Sequence, residues 1–114
     1  MVNYVPKERD IVFIDFSPIK GHEQSGKRPA LVISNKIFNQ FTNMAIVCPL
    51  SSNTKDFPTH YELKSPKTIK GSVLCEHIRS IDYVKRNIKF VERCSEYEYE
   101  NIIELIKSFF EKEN

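Results

Sequence analysis

Strand-length apolar runs, each closed by turn residues, recur along most of this chain and restrict it to a small sheet of short strands. Asp10 to Phe16 is β-branched and aromatic and stops at Ser17-Pro18, and Ala30 to Ser34 repeats the pattern after Pro29. Further strands are expected over Ala45 to Leu50, Thr59 to Leu63, Ser72 to about Ile81, and Asn87 to Val91. Short strands separated by polar turns predict a small antiparallel barrel or tightly curled sheet. With 114 residues, 40% of them hydrophobic, the chain can fill one core, so a single domain over 1–114 without linkers is expected.

Helical signals complete a mainly β fold with helices (α+β). Ser95-Glu96-Tyr97-Glu98 matches a capping box, and Tyr99, Ile102, Ile103, Ile106, Phe109 and Phe110 then recur at helical spacing. The chain should therefore end in an amphipathic helix whose apolar face serves the core or a subunit interface. Asn35 to Phe41 predicts a second, short helix.

Several classes are excluded. No stretch is apolar over the roughly 18 residues a membrane span needs, and the first residues lack a signal peptide's basic start and apolar core, so a cytoplasmic protein is expected. Cys48, Cys75 and Cys94 are odd in number, widely spaced and set in apolar surroundings, which predicts buried free thiols. His22, His60 and His77 show no metal-ligand spacing, and no metal or cofactor is expected. Charge is divided: residues 1–94 hold 15 Lys and Arg against 9 Asp and Glu, while residues 95–114 hold 2 against 6. A basic body of this kind suits an anionic polymer and equally suits an ordinary solvated surface.

The chemistry concentrates in Gly21-His22-Glu23-Gln24-Ser25-Gly26-Lys27-Arg28-Pro29, where an imidazole, a carboxylate and a guanidinium share one glycine-bracketed loop. Such a loop can approach a phosphate-bearing ligand from several directions. If the ligand is RNA, its own 2′-hydroxyl can attack the adjacent phosphate. A base must remove the proton, an acid must protonate the departing 5′-oxygen, and a guanidinium can hold the phosphoryl oxygens. Arg28, braced by Pro29, is the leading candidate. Glu23 can serve as base, as acid or as orienter of Arg28, and His22 has the intrinsic pKa suited to proton transfer. Ser51, Ser52 and Asn53 end the third strand in groups able to contact a phosphate, although Ser-Ser-Asn is also ordinary turn chemistry. Glu76, or His77 with Arg79, either faces a shared groove or belongs to a solvated strand face. Lys27 and Lys55 are placed as phosphate contacts on loops from Pro18 to Lys27 and from Ser52 to Pro58 that frame the groove.

Taken together, Gly21-x-Glu23-Gln24-x-Gly26-x-Arg28-Pro29 after Asp15-Phe16-x-Pro18, then Leu50-Ser51-Ser52, then Arg79-Ser80-Ile81-Asp82, resembles the MazF/PemK toxins of bacterial toxin–antitoxin pairs over residues 4 to 110. The resemblance implies a homodimeric SH3-like barrel. It further implies metal-independent, sequence-specific cleavage of single-stranded RNA, leaving a cyclic phosphate and a 5′-hydroxyl, and neutralisation by an extended acidic segment of a cognate MazE-like antitoxin. By position, Arg28 matches the family's catalytic arginine, Glu23 the neighbouring acidic residue and Ser51 the catalytic hydroxyl, a position often occupied by threonine. The PemK/Kid branch assigns catalysis to an arginine, an aspartate and a histidine, where this chain offers Leu74, Glu76 and His22. Leu74 cannot stabilise a phosphorane, so the resemblance favours the MazF-like arrangement around Arg28 and Ser51, with His22 and Glu76 as secondary candidates. A gyrase-binding toxin of CcdB type, on the same fold, is disfavoured because the chain has no tryptophan and ends Phe110-Glu111-Lys112-Glu113-Asn114. A third reading is an RNA-binding module without catalysis.

Overall fold

Seven antiparallel strands and two helices make up the computed structural model, which describes residues 4–16, 26–52 and 56–113. The strands are β1 (Asp10–Asp15), β2 (Lys27–Val32), β3 (Ala45–Ser51), β4 (His60–Leu63), β5 (Gly71–Leu74), β6 (Arg79–Ile81) and β7 (Lys89–Arg93). Helix α1 (Lys36–Thr42) links β2 to β3, and α2 (Glu96–Ser108) follows β7. Hydrogen bonding runs β4-β5-β3-β2-β1-β7, with β6 also paired to β3, so the mainly β fold with a C-terminal helix is an open antiparallel path among the described residues. Pro49, which has no N–H to donate, sits where β3 changes neighbours: β6 pairs with it up to Val47, and β5 from Leu50.

Alternation along the strands divides the sheet into two apolar faces. Ile11, Leu31, Cys48, Leu50 and Val73 face one way and meet Ile102 and Ile106 of α2. Val12, Ile14, Ala30, Val32, Val47 and Ile81 face the other and pack with Phe16 and Tyr83. The partly buried Tyr4, Val5 and Ile88 pack against this second cluster. Cys48, Cys75 and Cys94 are buried free thiols, as composition predicted.

Both helices sit where the sequence placed them, with local differences. In α1 the Asn35 side chain accepts from the Phe38 amide at 2.8 Å, and Asn43 closes the helix in the left-handed region at φ 58°. In α2 the Ser95 hydroxyl accepts from the Glu98 amide at 3.1 Å, but the reciprocal half of the capping box is absent. The buried Glu98 carboxylate instead accepts from the Lys64 and Ser65 amides at 2.8 and 3.0 Å, tying the connection after β4 to the helix. Phe109 and Phe110, expected on the helix face, fall after Ser108 and are exposed.

Two strand boundaries differ from expectation in ways that matter for the site. The second strand begins at Lys27, so Arg28 and Pro29 belong to the sheet rather than to a loop. The single strand expected from Ser72 to Ile81 is broken by a 3-10 turn over Cys75–His77, which separates β5 from β6.

Candidate active site

Arg28 and Ser51 are brought together by the pairing of β2 with β3. That register sets Ala30 opposite Pro49 and Leu31 opposite Cys48; continued toward the strand ends, it sets Arg28 opposite Ser51. The Arg28 guanidinium reaches the Leu50 carbonyl at 3.5 Å, one residue from Ser51. Arg28 also lies opposite Ile14 of β1, which assigns it to the sheet face away from α2. Ser51 occupies the same face, two positions on from Pro49 and four from Val47. Both side chains are half-buried, so each is held by packing yet open to a ligand.

Arg79 shares that face because its β6 register puts it opposite Val47. Its guanidinium lies over the Phe16 ring, 5.4 Å from the centroid, a cation–π contact that fixes the group against the sheet. Ser52 is exposed just after β3. His22, Glu23, Asn53 and Lys55 lie outside the described residues.

Glu76 sits in the 3-10 turn, held by neighbours that sequence spacing does not reveal. Its carboxylate accepts from the Thr59 hydroxyl at 2.7 Å, pairs with His60 Nε2 at 2.9 Å, and lies 3.7 Å from His77 Nε2. Burial raises the Glu76 pKa, but the hydrogen bonds from Thr59 and His60 outweigh it, and the group falls below the ordinary carboxylate value. Glu76 is thus an anion at neutral pH and a poor proton donor; its geometry suits orienting His60. His60 received no site role from the sequence, because only the fold places the start of β4 beside this turn.

A separate groove of about 980 Å³ is lined by Asp15, Lys27, Asp82, Lys85, Arg86 and Lys89, with Phe13, Ile14 and Ile81 as apolar walls. Four cations against two carboxylates favour a polyanion, and Phe13, 43% exposed, offers a ring on which an unpaired base can stack. Arg86 is anchored by donating to the Asp15 carbonyl at 2.8 Å. Neither Arg28 nor Ser51 lines the groove; Lys27, which does, precedes Arg28 in β2 and alternates to the other side of the strand. Among the described residues, no three His, Cys, Asp or Glu side chains converge in a manner that could hold a metal ion.

Comparison with known proteins gives the family. Residues 7–110 match the family of PemK-like, MazF-like toxins of type II toxin–antitoxin systems. The chain belongs to that family. It is 35% identical over 83 residues to the endoribonuclease toxin MazF of Escherichia coli K12, covering 73% of this chain and 74% of that protein. The crystal structure of MazF from Deinococcus radiodurans superposes with a TM-score of 0.89 at 31% identity, covering 95% and 98% of the two chains. A MazE–MazF structure from the same organism gives 0.83 at 26% identity, covering 97% and 100%. Among the described residues, no helix is long and apolar enough to cross a membrane.

Proposed function

We propose that this chain is the endoribonuclease toxin of a type II pair, cutting single-stranded messenger RNA at short sequences by attack of the RNA's own 2′-hydroxyl. The observation that carries the reading is the cross-strand placement of Arg28 and Ser51 on one accessible sheet face, in a family whose curated relatives are endoribonucleases. Arg28 stabilises the charge that grows on the phosphoryl oxygens, and the Ser51 hydroxyl donates to the same group. His22 and Glu23 are the proton-transfer candidates, and Glu76 acts by holding His60. The products are a 2′,3′-cyclic phosphate and a 5′-hydroxyl, and the residues assigned to catalysis require no metal.

RNA flanking the cut runs over Lys27, Ser52, Asn53, Lys55, His77 and Arg79, with unpaired bases entering the groove beside Phe13. A cognate MazE-like antitoxin neutralises the toxin with an extended acidic segment that meets the same cations, and the active species is a cytoplasmic homodimer. The Deinococcus MazE–MazF complex supports this choice of partner. Mapping the ends left on a long unstructured transcript, in EDTA, tests the reading. Discrete cuts with 5′-hydroxyl ends support it, whereas 5′-phosphate ends, or activity only with added divalent ion, overturn it.

A further inference from the structure

The strand register extends the Arg28–Ser51 pair into a row. β3 pairs with β5 so that Ser51 faces Ser72, and β5 pairs with β4 so that Ser72 faces Glu62. Directly opposed residues share a sheet face, so with the β2–β3 register continued two residues past Ala30–Pro49, Arg28, Ser51, Ser72 and Glu62 fall in one row across β2, β3, β5 and β4. At about 4.8 Å per strand the row is roughly 14 Å long, enough for more than one phosphate.

Ser72 is the hydroxyl-bearing member of this row with no assigned task. It is half-buried, and its hydroxyl makes no hydrogen bond to any described residue. Its place beside Ser51 is tightly set, because a Cβ on the preceding Gly71 would lie 2.7 Å from the Ser51 carbonyl oxygen. Beyond it, Glu62 is exposed and pairs with Lys64 at 3.6 Å, so the row of hydroxyl donors ends at Ser72.

We infer that Ser72 is a substrate-binding residue whose hydroxyl donates to the RNA phosphate next to the scissile one, on the side away from Arg28. The inference rests on the ribonuclease reading. Its role is to hold the strand in register across the sheet, leaving the reacting phosphate to Arg28 and Ser51. Loss of one such hydrogen bond weakens binding by about tenfold.

The test compares wild type, Ser72→Ala and Ser72→Thr on a short RNA containing one cut site. Ser72→Ala should raise KM about tenfold with kcat within about twofold, and Ser72→Thr, which restores the hydroxyl, should recover most of the loss. The same RNAs are then made with a neutral methylphosphonate at each linkage in turn. At the linkage next to the cut, the difference between wild type and Ser72→Ala should vanish. An unchanged KM in Ser72→Ala, or a penalty that no single neutral linkage removes, overturns the assignment. Binding to an uncleavable 2′-deoxy-substituted strand separates the two readings: if wild type binds but never cuts RNA, the ribonuclease reading fails, and the affinity difference alone still decides the Ser72 contact.

Discussion

Gly71→Ala should damage the site out of proportion to the single methyl it adds. Gly71 has φ +143°, a conformation that side-chain-bearing residues rarely adopt, and its missing Cβ leaves room for the Ser51 carbonyl oxygen, which a methyl would approach to 2.7 Å. The backbone strain alone costs about 1–3 kcal/mol. Relieving the overlap requires β5 and the end of β3 to separate by roughly 0.5 Å, half of the 1 Å misplacement that can cost a hundredfold in rate. Urea denaturation should therefore show a loss of about 2–3 kcal/mol. Cleavage of a short RNA, measured where the variant is fully folded, should fall about tenfold or more. A variant within 0.5 kcal/mol of wild type (on the order expected of a neutral surface change) that retains full turnover would refute the argument that β5 sets the position of Ser51.

Replacing both Lys27 and Lys55 with alanine should flatten the dependence of log affinity for single-stranded RNA on log salt by about 1.4, the slope expected for two lost phosphate contacts; an unchanged slope removes them from the interface. Ser51→Thr should keep cleavage and Ser51→Ala should lower kcat by at least about tenfold, as read in single-turnover assays; equal rates would dismiss the hydroxyl. Acid stability provides another check through Glu92, whose carboxylate accepts from the Lys67, Thr68 and Ile69 amides. Burial raises its pKa, but those bonds outweigh it and the folded value is lowered. The stabilisation is accordingly complete above the unfolded carboxylate pKa and lost as pH falls through the folded one. The stability gap between wild type and Glu92→Gln should narrow between about pH 5 and pH 3, and a gap independent of pH would contradict the linkage.

What was legible in the sequence follows from which signals are local. The runs that became β1 and β3, the short helix near Asn35 to Phe41, the Ser95 cap and the α2 face at Ile102 and Ile106 declare themselves through near-neighbour chemistry. Arg28 and Ser51 could be nominated from residue type and family pattern, but their opposition depends on a register fixed only by the folded sheet. Ser72 was invisible for the same reason: nothing within a run of Gly-Ser-Val-Leu says which face will lie beside the site. The break after β5 was missed because Cys75 to Ile81 looks like a strand until Thr59 and His60, some sixteen residues earlier, are seen to gather the Glu76 carboxylate. Long-range acceptors rewrote the capping box too, since Glu98 finds Lys64 and Ser65 in place of its own helix start.

The decisive comparison sets wild type against Arg28→Ala on the same single-stranded RNA, alongside circular dichroism and sedimentation of both. Arg28→Ala should keep its fold and assembly while cleavage falls by at least about a hundredfold, the scale for removing a preorganised donor to a developing anion. Undiminished cleavage by the folded variant would remove Arg28 from the reaction.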